Sequence, residues 1–367
     1  MSLQENNSNN QLDNSSLFFL TAILELSTGA IHLPKLFAES VQNESWIVLT
    51  ASACLIQLFI FLGLSTVRRM SCKNWYELVE YYLGRIGGII FALLFCVCSL
   101  LISGITLRDY TYTLQQFVFP RTSTLVLASL VLLPVIMLLS GGISLISRFV
   151  ILVFMITVTI LIPLFLPLPA IKPEQFLPIR VLSGNTYLQA LFHAMQSYIG
   201  IVVLFFVYPY ASPRSGLYLK ITYGHWFACF ILITLNFTIV GITGYEFAQH
   251  IFYPSLHAAR VSQFAFTQRF EFIIVTLWSL VIIVMISSFL WLIQLALPMM
   301  NLKKKQSFAW LLVVLTLCIV MVLPSEYIKF QTWYEHIIAG GTVFILLAIL
   351  LFWLLSRFKK TEEMDRS

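Results

Sequence analysis

The sequence predicts an all-α polytopic membrane protein of about ten transmembrane helices, set as two inverted halves of five with the first helix of each half broken. Three observations predict it. Of 367 residues, 59% are hydrophobic and 10% charged, against roughly 25% charged in a soluble domain; with a mean hydropathy of +0.89, the chain cannot cover its own surface with polar groups. Its apolar residues gather into ten stretches, most of them near the ~20 residues that one crossing needs. Two of those stretches, five apart, carry interruptions at equivalent places, and paired interruptions of this kind point to a binding site at the bilayer midplane.

Residues 1–16 read as a polar cytoplasmic tail without Lys or Arg, unlike a signal peptide with its basic first region. Span one (17–37) holds L-S-T-G-A-I-H-L-P from Leu26 to Pro34, and span two covers 46–66. The amphipathic, aromatic stretch Asn74–Leu83 is expected on the membrane surface. Span three (86–118) is long enough to tilt. Spans four and five cover 124–141 and 145–168, followed by a proline-rich stretch, Pro167–Pro178, expected to be extended. Span six (187–210) carries H-A-M-Q-S-Y-I-G from His193 to Gly200 and then Pro209. Span seven is 218–243, and the loop from Gly244 to Phe270 has room for a short surface helix. Spans eight to ten are 270–297, 308–323 and 334–356, before a charged tail at 357–367. The transmembrane domain, 17–356, thus divides into halves at about 17–168 and 187–356.

With the N-terminus inside, inner segments hold fourteen Lys and Arg and outer ones seven, so the excess of positive charge places both termini in the cytoplasm. Spans one and six then run in opposite directions, the five-plus-five inverted repeat of LeuT-type carriers. The net charge of +6 belongs to these loops and is no nucleic-acid signal.

The chemistry is expected at the two interruptions. Ser27, Thr28 and Gly29 are poor helix-interior residues, and Pro34 lacks the N–H that the carbonyl of Ala30 would accept. An opened helix would offer an N-terminal end near Ala30 and Ile31 to a carboxylate and carbonyls near Leu26 to an ammonium group; the alternative is a kinked but continuous helix. In span six, Gln196, Ser197, Tyr198 and Gly200 either line the same site or bond to neighbouring helices. Glu25 lies one turn before Gly29, and a carboxylate at membrane depth faces protein or water; it binds a ligand amine, carries a proton or pairs structurally. His32, His193, Ser287 and Ser288 complete the candidate network. Arg108 and Asp109 diverge at the outer end of span three. The six cysteines read as packing residues. No metal-ligand, nucleotide or hydrolase motif occurs, so neither an enzyme nor a cofactor is expected.

L-F-F-L-T-A-I-L-E-L-S-T-G-A-I-H-L-P, followed by E-S-W-I-V-L, resembles the start of the spore germination permeases, the B subunits of bacterial spore germinant receptors in the amino acid–polyamine–organocation superfamily. Thr267–Trp278 (T-Q-R-F-E-F-I-I-V-T-L-W) resembles that family's start of span eight, and Y-I-G-I-V-V-L-F-F-V-Y-P its sixth span. The resemblance implies a multi-pass protein of the spore inner membrane that works with A and C subunits. It implies recognition of a small germinant, often an amino acid, whose binding triggers germination. The alternative is an amino acid permease performing secondary transport.

Overall fold

The computed structural model describes residues 12–70, 75–165, 172–176, 183–212, 216–261, 270–300 and 306–358. Its helices are α1 (Asn14–Glu39), α2 (Ser45–Met70), α3 (Trp75–Phe117), α4 (Thr124–Phe165), α5 (Gly184–Gln196), α6 (Val202–Val207), α7 (Leu217–Thr243), α8 (Tyr245–Ala248), α9 (Pro254–Val261), α10 (Phe270–Ala296), α11 (Gln306–Val322) and α12 (Tyr327–Phe358). Residues 1–11 and 359–367, Cys72, most of the proline-rich stretch, Lys303–Lys305 and Thr267–Arg269 lie outside the described set.

The chain is a multi-pass membrane protein. Among the described residues, six helices are long and apolar enough to cross a bilayer, or eight when each of two bent pairs is one crossing, with a shorter apolar helix at Phe308–Val322 beside them. That count is lower than the ten spans read from the sequence. The difference lies in α11, which is short, and in α4, where the expected fourth and fifth spans form one 42-residue element interrupted at Gly142 (φ 65°, ψ −159°). Lipid-facing side chains are apolar: Leu58, Phe61, Leu94, Val97, Leu130, Leu133 and Leu347 are all exposed.

α3 is interrupted at Gly84 (φ 71°, ψ 174°), a left-handed value that glycine adopts without a Cβ penalty. The break separates Trp75–Leu83, the expected surface segment, from the long helix that follows. Its apolar face packs inward: Trp75 stacks on Phe205 with ring centroids 5.0 Å apart, and Tyr76 OH donates to Leu292 O at 3.1 Å.

α1 runs through the centre of the bundle and packs along α7, α4 and α10. At its N-terminal end Leu12–Asp13 (β1) pairs in parallel with Ala211–Ser212 (β2). This ladder fastens the start of α1 to the chain leaving α6.

The first bent pair is α1 itself. Its segments Ser15–Ser27 and Gly29–Glu39 meet at 43°, yet the helix is continuous from Asn14 to Glu39. The expected opening over residues 27–31 is therefore a kink. The reason is local. Pro34 cannot donate to the carbonyl of Ala30, and Ser255 of α9 does so instead: its Oγ lies 2.8 Å from Ala30 O and 3.2 Å from Ile31 O. With the orphaned carbonyl satisfied from outside, the rest of the ladder has no cause to open. Ser255→Ala strands a buried acceptor, which costs about 1–3 kcal/mol; thermal unfolding of the purified protein should show the loss, and Ser255→Thr should largely restore it.

Candidate functional site

The second bent pair joins α5 to Ile199–Tyr210 at 48°. Here the backbone does leave the α-helix. Ser197 N donates to Ala194 O, Tyr198 N to Met195 O and Ile201 N to Tyr198 O at 3.0–3.1 Å, so tight turns satisfy these amides internally and they are not held open for a guest.

The two bends touch. A Cβ added at Gly29 would stand 2.9 Å from Ser197 Cβ, and one at Gly200 would stand 2.8 Å from Leu24 O. The glycines and the serine therefore form a helix–helix contact in place of a hollow. Ala30 is buried beneath Ser255. Gln196 Nε2 lies 3.5 Å from His193 Nδ1. Tyr198 is fully buried, its ring centroid 5.5 Å from that of His225. The side chain of Thr28 lies outside the described residues.

The cavity lies on another face of the α1 bend, against α3 and α10. It is lined by Ser27, Ile31, His32, Thr106, Asp109, Tyr110, Thr113, Trp278 and Ile282 and holds about 10 Å³, room for about one water. His32 Nε2 lies 2.8 Å from Asp109 Oδ2, bridging α1 and α3, while Tyr110 OH donates to Val275 O at 2.8 Å, tying α3 to α10. Ser27 Oγ is 2.8 Å from both Leu24 O and Met285 Sδ. Three polar atoms of the cavity residues are buried without a hydrogen-bond partner: Thr106 Oγ1, Asp109 Oδ1 and Trp278 Nε1. Each unmet group costs about 1–3 kcal/mol. Together they supply one anionic acceptor, one hydroxyl and one N–H donor. Ser287 and Ser288 of α10 are also fully buried with unpartnered Oγ atoms, but they do not line this cavity.

Glu25 has a different partner. His225 Nδ1 is 2.9 Å from each Glu25 carboxylate oxygen, and His225 Nε2 is 2.9 Å from Ala53 O. Both side chains are fully buried. A carbonyl only accepts, so Nε2 carries a proton. The remaining proton sits between Nδ1 and the carboxylate, and in either position the pair is neutral overall. It joins α1, α7 and α2. Gly224 permits the approach, since a Cβ there would meet Phe18 O at 2.5 Å.

Arg108 and Asp109 diverge as their adjacency on a helix requires. Arg108 donates to Thr124 Oγ1 at 2.8 Å and Pro324 O at 3.3 Å, while Asp109 turns inward to His32.

The sequence reading missed His225, Thr106, Trp278 and Ser255 and left Asp109 at an outer interface. A signal existed for His225: a lone imidazole in the middle of a largely apolar span needs a buried partner, and Glu25 was the carboxylate in span one. Nothing local distinguishes Thr106 or Ser255 from the many hydroxyls that bond within their own helix.

The profile of the spore permease family, described as spore germination protein, matches residues 11–330. The spore germination protein GerQB of Bacillus cereus is 22% identical over 352 residues, covering 94% of this chain and 95% of that protein. YfkT of Bacillus subtilis (strain 168) is 25% identical over 291 residues, 78% of this chain and 79% of its own length. A profile match over most of an apolar, multi-pass chain settles its kinship: the protein belongs to the spore permease family of spore germination proteins.

Proposed function

We propose that this chain is the germinant-sensing membrane subunit of a spore nutrient receptor, binding a small ligand such as an amino acid in a transporter-like pocket and triggering germination. The observation that carries this reading is the set of three unsatisfied polar atoms around the cavity at the α1 bend. Asp109 Oδ1 and Thr106 Oγ1 suit an ammonium group, and Trp278 Nε1 suits a carboxylate oxygen. An amino acid zwitterion brings both charges on groups attached to one carbon. A cavity for about one water is too small for it, so the structure is the closed member of a pair of conformations. Ligand binding favours the opened member only through its higher affinity for that state. The His32–Asp109 contact must give way as the ligand enters.

We extend the reading to a LeuT-type frame of ten crossings. A straight 42-residue α4 would span about 63 Å, twice the hydrocarbon core, and the Gly142 break divides it into two lengths that each suit one crossing. Adding α11 and counting each bent pair once gives five and five, with a bend in the first of each half. The protein then sits in the spore inner membrane with both termini on the core side, beside the A and C subunits of its receptor, and acts by binding rather than catalysis.

The test is germination of spores carrying Asp109→Asn or Trp278→Phe in place of the wild-type chain. The half-maximal germinant concentration should rise at least tenfold for Asp109→Asn, the equivalent of ~1.4 kcal/mol. An unshifted response from a well-expressed Asp109→Asn protein would remove this pocket from consideration. The second reading, an amino acid permease, draws on the same closed cavity; net uptake into vesicles by the purified protein would favour it.

A further inference from the structure

At the end of the bundle away from β1, the turn Gln42–Glu44, the first residue of α2, the start of α5, the later part of α7 and the short α8 converge on a polar cluster that the proposed ligand pocket does not use. Glu44 is 1% exposed. Its Oε2 accepts a hydrogen bond from Tyr187 OH, and its Oε1 is buried with no partner. Among the described residues it forms no ion pair. Asn236 is 2% exposed; its Nδ2 donates to Ser45 Oγ at 2.6 Å, and its buried Oδ1 has no partner. Ser45 Oγ lies 3.3 Å from Tyr245 OH, and burial pushes the Tyr245 hydroxyl up to about 12, so it remains a neutral phenol at physiological pH.

Two features define what this cluster lacks. A carboxylate taken out of water without a counter-charge costs several kcal/mol. The unmet atoms are both acceptors, and the side-chain groups bonded around them, Tyr187 OH, Ser45 Oγ and Tyr245 OH, are hydroxyls. Oxygen-only sets suit hard cations. One carboxylate balances one positive charge, whereas a divalent ion would leave a net charge buried.

We propose that Glu44 and Asn236, with the hydroxyls of Ser45, Tyr187 and Tyr245 around them, form a binding site for an alkali-metal cation. The ion would join the start of α2 to α5, α7 and α8. It would stiffen the end of the bundle at which α5, the first half of the second bent pair, begins. Its occupancy is independent of any germinant.

The experiment is thermal unfolding of the full-length purified protein in detergent. Sodium or potassium chloride is titrated against N-methylglucamine chloride at constant ionic strength. Wild type should gain a saturable ~3 °C, with the sodium and potassium arms naming the preferred ion. Glu44→Gln, which keeps the shape and removes the charge, should abolish the gain. Asn236→Ala keeps the carboxylate and removes one oxygen, and should raise the half-saturating concentration about tenfold; it carries the test should Glu44→Gln fail to fold. A wild-type curve indifferent to the cation would overturn the site. So would an undiminished gain in both variants, since a bridging water or a protonated carboxyl would then account for the cluster. Because no germinant enters the assay, its outcome leaves the ligand pocket untouched.

Discussion

Glu25→Ala should destabilise the folded protein by about 3–5 kcal/mol, the loss typical of a buried ion pair that keeps only one partner. Three distances of 2.9 Å define the pair: both Glu25 oxygens to His225 Nδ1, and His225 Nε2 to Ala53 O. Truncating Glu25 leaves the imidazole bonded to α2 on one side and facing a fully buried void on the other. Glu25→Gln keeps a hydrogen-bonding group in place and should lose less. Replacing both partners, Glu25→Leu with His225→Leu, should recover much of the single-variant loss, because two apolar groups of similar volume remove the desolvation penalty together with the pair. Thermal unfolding of wild type, Glu25→Leu, His225→Leu and the double variant, read as a double-mutant cycle, measures the coupling. Near-additive single losses would mean that the two side chains do not depend on each other.

Gly224→Ala should also be severe, for a reason of space. The added methyl would lie 2.5 Å from Phe18 O and 2.9 Å from Thr21 Cβ. Backbone of a central helix cannot move aside as a flexible side chain can, so α7 must shift away from α1. Overpacking of this kind costs about 1–3 kcal/mol. The same shift carries His225, the next residue, away from Glu25, so the variant should lose part of the pair's coupling as well as packing. Unfolding measured for Gly224→Ala in the Glu25→Leu, His225→Leu background separates the two: the steric loss should persist and the electrostatic loss should vanish. Gly184 is the contrasting position, with open space where its Cβ would be, and Gly184→Ala should be close to neutral.

Much of this architecture is legible in the chain. The apolar runs place the helices, because lipid leaves little choice but helix for a spanning segment, though they start α12 at 334 where it begins at Tyr327 and split α4 in two. α10, by contrast, is read as 270–297 and observed as Phe270–Ala296. The bend of α1 follows from Ser27, Gly29 and Pro34, and the exit from α-helix after Gln196 falls within the expected patch. The local signals stop short of the partners. Pro34 announces a freed carbonyl without saying that Ser255, 225 residues away, will satisfy it. Glu25 announces a need for company without naming His225, 200 residues on. Apolar periodicity is weak in spans that are apolar all round, so it cannot say which face of α3 turns inward. Asp109 therefore reads as an interface residue when it lines the cavity. The glycines at 29 and 200 invite an open site, yet here they serve close packing.

A small guest should complete the unmet hydrogen bonds at the α1 bend. The most direct measurement is equilibrium binding of a panel of radiolabelled amino acids to the purified chain, wild type beside Asp109→Asn. Wild type should bind at least one member saturably, and the variant should bind it at least tenfold more weakly. Equal affinity in both proteins, with both folded to the same melting temperature, would contradict this expectation.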